Sequence, residues 1–330
     1  MATASTQDLQ TPALLVDADA LEHNLRTMAA ALPGRRLRPH VKAHKCTALA
    51  RRQAALGHRA FTCATVREIE GMAAAGLGDD LLLANEIVDA RRLGTLAARV
   101  TVAVDSEATI AAAAAGGVRE VVIDVNVGLP RCGCAAGDAG RLADLARMKK
   151  LVVRGVMGYE GHAVGLEDRV ARERLTEEAM LLLLAAHTHV GGELVSAGGT
   201  GTYDCNVWAN EIQAGSYALM DTVYARLDLP FRPALSVLAT VISVSPEFAV
   251  ADCGLKAVGM DHGNPTIDGA QVLFCSDEHV TFTPNEAVRV GDRIRVWPAH
   301  IDPTVAYHER MHLVSGERVL DTWAVDLRGW

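Results

Sequence analysis

The 330-residue chain is 50% hydrophobic and 22% charged, with a formal net charge of −8. A chain of this length buries a core without disulfides or a structural metal, as one large or two medium domains. Its acidic balance lacks the basic face that nucleic-acid binding needs, and its longest apolar stretch, Met180–Ala186, is far too short to span a membrane.

In chain order, an opening strand is expected at Ala13–Asp17, then a helix from about Leu21 to Leu32. Short β-branched runs recur at Leu37–Lys42, Ala60–Cys63, Leu81–Ala84, Val100–Val104, Glu120–Val125, Val153–Met157, Glu193–Ser196 and Glu211–Gln213. Helix-length stretches separate most of them, among them Ala64–Ala75, Glu107–Ala115, Ala139–Lys149 and Asp168–His187. Strand–helix units in this number match a (β/α)8 barrel better than an open doubly wound sheet. From about Phe231 the helices give way to β-rich runs at Val237–Ser245, Phe248–Asp252, Val272–Phe274, His279–Phe282 and Arg293–Trp297. Turn residues such as Asp261–Pro265 and Gly291–Asp292 separate them. The expected fold is therefore α/β: a TIM barrel at residues 11–230 and a smaller antiparallel β-domain at 231–330, with residues 1–10 packed on that domain or disordered.

Met1–Gln10 has no basic segment leading into an apolar run, so no secretory signal is expected. The seven cysteines, Cys46, Cys63, Cys132, Cys134, Cys205, Cys253 and Cys275, form no CxxC pair. Their odd number suits reduced thiols in the cytoplasm.

Four segments carry chemistry. Arg38-Pro39-His40-Val41-Lys42-Ala43-His44-Lys45 ends the first barrel strand, and barrel active sites lie at strand C-termini. A partly desolvated lysine near other cations loses basicity and becomes a nucleophile, although on spacing alone this is equally a basic surface loop. Ser196-Ala197-Gly198-Gly199-Thr200-Gly201-Thr202 follows strand seven and Gly215-Ser216-Tyr217 follows strand eight, where barrels recurrently bind phosphate. Asp124–Gly133 brackets Arg131 with glycines, giving an arginine that reaches an oxyanion or one that merely decorates a loop. Gly158-Tyr159-Glu160-Gly161-His162 adds a ring and an imidazole to the same mouth. In the β-domain, His300-Ile301-Asp302 in an extended segment would project imidazole and carboxylate to one side, a pair suited to a divalent metal.

Together these motifs resemble the fold-type III, alanine-racemase-like enzymes that use pyridoxal 5'-phosphate (PLP). The order matches over nearly the whole chain, from Thr11-Pro12-Ala13-Leu14-Leu15-Val16-Asp17 through the strand-one lysine, the Gly128–Gly133 arginine and the two phosphate loops to the β-domain. Arg38–Lys45, Gly158–His162 and Pro298–Asp302 are similar to the D-threonine aldolase and D-serine dehydratase branch, closest to D-threonine aldolase. The resemblance makes Lys42 the Schiff-base lysine and Lys45 a bystander. Arg131 would hold the PLP phenolic oxygen or the substrate carboxylate. Gly199, Thr200, Gly215 and Ser216, helped by Tyr217, would cradle the phosphate. His300 and Asp302 would bind the metal. Alanine racemases place an arginine against the pyridine nitrogen where this chain has Gln213, so a weaker electron sink is expected, with Tyr159 as a rival partner.

The branch's dehydratases usually carry HxC; HxD goes with the aldolases, and the harder carboxylate favours Mn2+, with Mg2+, Co2+ or Zn2+ also possible. The implied activity is retro-aldol cleavage of a β-hydroxy-D-amino acid, D-threonine to glycine and acetaldehyde, with the metal or its bound water, His162 or His40 taking the hydroxyl proton. D-3-hydroxyaspartate cleavage is the second reading, dehydration of D-serine or hydroxyaspartate the third, and a PLP carrier without turnover the non-catalytic one. A homodimer is expected by the same resemblance.

Overall fold

The computed structural model describes residues 5–330 and divides them into two units. One comprises the segment up to Thr27, Ala43–Ala48 and Ser216–Asp326; the other comprises Met28–Lys42, Leu49–Gly215 and Leu327–Trp330. Elements follow the chain as β1 (Ala13–Asp17), α1 (Ala18–Ala31), α2 (Thr47–Ala55), β2 (Ala60–Cys63), α3 (Val66–Ala74), β3 (Asp80–Leu83), β4 (Val100–Val104), α4 (Glu107–Ala115), β5 (Glu120–Asp124), α5 (Ala139–Met148), β6 (Val152–Met157), α6 (Arg169–Val190), β7 (Leu194–Ala197) and β8 (Glu211–Ile212).

In the second of these units β2 to β8 form a parallel sheet in sequence order, their short β-branched runs buried as expected of strands covered on both faces. Its two edges are joined through Leu37–His40. Leu37 bridges Ile212 and His40 bridges Thr62, both parallel. The Arg38 and His40 N–H groups donate to Ile212 and Ala214 carbonyls, and the Pro39 carbonyl accepts from Thr62. The expected strand Leu37–Lys42 is thus shorter than read. Pro39 offers no N–H, and Val41–Ala43 coils into a 3-10 turn, so Lys42 rides a turn just past the strand end. Helices α3, α4 and α6 start at side-chain caps: Thr65 accepts from Glu68 N–H, Ser106 from Thr109 N–H, and Asp168 from the Val170 and Ala171 N–H groups.

Opposite the loops that follow these strands, the strand starts share an ionic layer around the buried Arg38 and Arg154. Arg38 meets Glu211 at 2.8 Å and Asp80 at 3.1 Å, and Arg154 meets Asp80 at 2.8 Å and Glu193 at 2.8 Å. Burial raises the Asp80 pKa, but Arg154 and Arg38 outweigh it and hold the carboxyl at about 2.

The other unit is built from β9 (Leu235–Val244), β10 (Ala249–Ala251), β11 (Thr266–Ile267), β12 (Ala270–Cys275), β13 (Val280–Pro284), β14 (Arg293–Trp297), α7 (Ile301–Tyr307), β15 (Arg310–Ser315) and β16 (Arg318–Ala324). Antiparallel pairings run β10-β13-β12-β11-β14-β9, and β9 also pairs with β10, which closes a ring. β1 joins this sheet, antiparallel to β9 and parallel to β15. The Thr6 N–H donates to Glu317 O at 2.7 Å and Arg293 reaches Gln7 O, so residues from Ser5 onward pack on this domain; Met1 to Ala4 lie outside the described residues. Among the described residues no helix is long and apolar enough to cross a membrane.

Candidate active site

The loops leaving the C-terminal ends of the barrel strands carry Lys42, Arg131, Tyr159, His162, Gly199, Thr200, Gln213 and Gly215. Lys42 is half-buried, and its backbone N–H lies 3.4 Å from Nδ1 of His40. Lys45 occupies the left-handed region at φ 46°, beyond the turn that bears Lys42.

The arginine loop owes its shape to its glycines. Gly128 and Gly133 have φ of 132° and 100°, and a Cβ on Gly133 would lie 2.5 Å from the Asn126 nitrogen. The loop folds back through hydrogen bonds between Asn126 N–H and Cys134 O and between Cys134 N–H and Asp124 O. Arg131 is thereby set over the Tyr159 ring, 5.3 Å from its centroid. Underneath, burial and then the neighbouring Glu86 push the Asp124 carboxyl well above its ordinary value, against the opposing pull of Arg131. Glu86 also leads the causes that raise the Cys132 thiol to about 11, while burial leads those that raise Cys134 to about 12, so neither CxC thiol is a ready thiolate.

The glycine-rich loop is pinned by a residue the sequence reading left without a role. Glu160 is fully buried and accepts from Gly198 N–H at 3.1 Å, Thr202 Oγ1 at 2.8 Å and Asn206 Nδ2 at 2.9 Å. Gly199 N–H donates to Thr202 Oγ1 at 3.2 Å, so this N–H is engaged within the loop. A Cβ on Gly201 would fall 1.7 Å from the Val164 carbonyl oxygen. Gln213 donates from Nε2 to Ser196 Oγ at 2.8 Å, which turns its oxygen to the other side. These features fit PLP. The loop admits no side chain at Gly201, and His162 Nδ1, packed beside Gly128, is buried without a hydrogen-bond partner among the described residues.

Ser216, Tyr217, His300 and Asp302 belong to the other unit. Ser216 opens a 3-10 turn, and Tyr217 is buried with its ring 5.7 Å from that of Phe231. The His300 segment differs from expectation. His300 is the N-cap of α7 and Asp302 lies in its first turn, so helix geometry, not strand alternation, brings His300 Nε2 to 3.6 Å from Asp302 Oδ2. Pro303 is tolerated there because first-turn N–H groups have no helical acceptor. The helix start is held by Asp221 Oδ2, which accepts from Ile301 N–H, and by Thr304 Oγ1, which donates to His300 O and accepts from Gly259 N–H.

Two further residues, Asp261 and His262, stand beside His300. Asp261 Oδ2 is 2.7 Å from His300 Nδ1, and the His262 ring stacks on the His300 ring at 4.0 Å and 7°. Burial raises the Asp261 pKa, but the His300 contact outweighs it and leaves the carboxyl below its ordinary value. In sequence these two residues read only as part of a turn, because Asp261 lies 39 residues before its partner His300 and His262 is the next residue.

The alanine racemase N-terminal domain family matches residues 16–222, and a serine dehydratase domain matches residues 234–314. The chain belongs to the alanine-racemase-like, fold-type III family of PLP enzymes. Within that family it is 33% identical over 365 aligned residues to the 3-hydroxy-D-aspartate aldolase of Paracoccus denitrificans, covering 98% of this chain and 93% of that one. It is likewise 33% identical to the D-threonine aldolase of an Arthrobacter species, with the same coverage. The solved D-threonine aldolase of Filomicrobium marinum superposes with a TM-score of 0.92 at 35% identity, covering 98% of this chain and 96% of that one.

Proposed function

We propose that this family member is a PLP-dependent aldehyde-lyase that cleaves the Cα–Cβ bond of a β-hydroxy-D-amino acid, with D-threonine the first substrate to test. The observation that carries the aldolase reading is the His300–Asp302 pair, whose Nε2 and Oδ2 atoms at 3.6 Å are spaced as two ligands of one ion. A carboxylate in this position favours Mn2+, Mg2+ or Co2+ over the softer thiolate chemistry of a dehydratase.

Bound PLP supplies the electron sink for the carbanion left at Cα, and the metal supplies acidity to the β-hydroxyl. Lys42 would hold the cofactor through Nζ and return a proton to Cα to complete glycine. Arg131, fixed over Tyr159, would bind an oxyanion of the cofactor or the substrate carboxylate. Thr200, Gly215 and Ser216, with Tyr217, would hold the phosphate, and Glu160 would keep the loop open for it. His162, whose Nδ1 is buried without a partner among the described residues, is the preferred acceptor for the β-hydroxyl proton, with His40 the alternative. Gln213 would face the pyridine nitrogen with a neutral amide oxygen.

D-3-hydroxyaspartate is the second substrate, supported by the Paracoccus relative at 33% identity. The enzyme is inferred to work in the cytoplasm as a homodimer; sedimentation as a fully active monomer would contradict the dimer. The deciding experiment incubates PLP-loaded protein with D-threonine and Mn2+ and assays acetaldehyde and 2-oxobutanoate together. Acetaldehyde with equimolar glycine supports the aldolase, whereas 2-oxobutanoate would make the chain a dehydratase.

A further inference from the structure

The His300 imidazole has two nitrogens with different neighbours. Nε2 faces Asp302 Oδ2 at 3.6 Å, and Nδ1 lies 2.7 Å from Asp261 Oδ2. An imidazole that donates from Nδ1 keeps its Nε2 lone pair for a metal, and the carboxylate acceptor fixes both the tautomer and the ring plane. We propose that Asp261 is the positioning residue of the metal centre, which holds His300 in the Nδ1–H form with Nε2 turned toward Asp302. The inference rests on the reading of His300 and Asp302 as metal ligands, and adds a residue that the HxD pattern does not contain.

The surroundings of Asp261 are built for this role. Gly259, two residues earlier, forms an antiparallel bridge with His300, and its N–H donates to Thr304 Oγ1 at 2.9 Å. A Cβ on Gly259 would lie 2.3 Å from Pro303 Cγ, so the segment bearing Asp261 is seated against the start of α7. His262 stacks face to face on His300 at 4.0 Å and clamps the ring from one side. Its Nε2 is 3.8 Å from Asp261 Oδ2, so the shorter 2.7 Å contact to His300 is the one that sets the carboxylate. Asp261 is half-exposed, so its substitution leaves no buried cavity.

The test is Mn2+ titration of full-length, PLP-loaded protein followed by electron paramagnetic resonance of the free ion, for wild type, His300→Ala, Asp261→Ala, Asp261→Asn and His262→Ala. His300→Ala examines the underlying reading: if it binds Mn2+ as wild type does, or if wild type binds none, the metal assignment fails and this proposal with it. Given an intact assignment, Asp261→Ala should raise the Mn2+ dissociation constant roughly 10- to 100-fold, the usual effect of removing a carboxylate behind a ligating histidine. Asp261→Asn, which keeps an oxygen acceptor for Nδ1–H, should recover part of the loss, and saturating Mn2+ should restore most of the turnover of both variants. Unchanged Mn2+ affinity in Asp261→Ala overturns the proposal. So does a full loss in His262→Ala with Asp261→Ala near wild type, which would make His262 the residue that serves the metal.

Discussion

Replacing Glu160 by glutamine tests how the phosphate loop is built. The carboxylate takes three hydrogen bonds inside the protein, from Gly198 N–H, Thr202 Oγ1 and Asn206 Nδ2. Glutamine keeps one acceptor oxygen, which satisfies the Gly198 N–H but turns a charge-assisted bond into a neutral one, a loss of about 1 kcal/mol. Its amide nitrogen then faces Asn206 Nδ2, and Asn206 is not free to turn over because its oxygen accepts from Ala209 N–H at 3.2 Å. Two donors face to face in a buried site cost roughly another 1–3 kcal/mol. The sum, about 2–4 kcal/mol, corresponds to a fall in melting temperature of ~4–8 °C at roughly 2 °C per kcal/mol. If about 1.4 kcal/mol of this is felt as loosening of the loop, the PLP dissociation constant rises about tenfold. Differential scanning calorimetry and PLP titration of the apoprotein measure the two effects. A variant that melts like wild type and binds PLP equally well would refute the reasoning, and a lower melting temperature with unchanged PLP affinity would show that the loop does not serve the cofactor.

Asp80 bears on stability. Its carboxyl, held at about 2 in the fold, contributes stability that is complete above the ordinary carboxylate value and lost as pH falls from about 4 toward 2. That contribution is about 2 kcal/mol in urea unfolding, and it should be missing from Asp80→Asn. The variant also leaves Arg38 and Arg154 short of a partner and should lose roughly 3–5 kcal/mol at neutral pH; an unchanged urea midpoint would contradict the ionic layer. Gln213→Arg brings a permanent cation to the expected pyridine-nitrogen position and should slow D-threonine cleavage about tenfold, or 1.4 kcal/mol of barrier, with the cofactor still bound. Wild-type turnover in that variant would place the pyridine partner elsewhere, with Tyr159 the next to mutate. Lys42→Ala should abolish cleavage in the same assay, and Lys45→Ala should retain it.

Much of the fold was legible because local patterning and burial agree. Val100–Val104, Glu107–Ala115 and Arg293–Trp297 appear with the expected ends, as a buried apolar strand, a Ser106-capped helix and a strand of alternating character. The failures have identifiable causes. Pro39 cut the first barrel strand short and left Lys42 on a turn. The segment after His300 was read as extended, although a proline and an aspartate just past a capping position mark a helix start. The β15–β16 pair went unrecognised because charged and exposed residues such as Arg310, Arg318 and Asp321 interrupt its alternation. Among the candidate residues, the lysine, the glycine-bracketed arginine, the small-residue loop and the HxD pair each announce themselves locally. Glu160 and Asp261 do not, since each acts through partners 38 to 46 and 39 residues away.

The central claim is that Lys42 carries PLP. The most direct measurement is borohydride reduction of the PLP-loaded protein, followed by proteolysis and mass spectrometry of the segment from Arg38 to Lys45. The account predicts a single reduced pyridoxyl group, on Lys42. The same group on Lys45, or none on this segment, would contradict it.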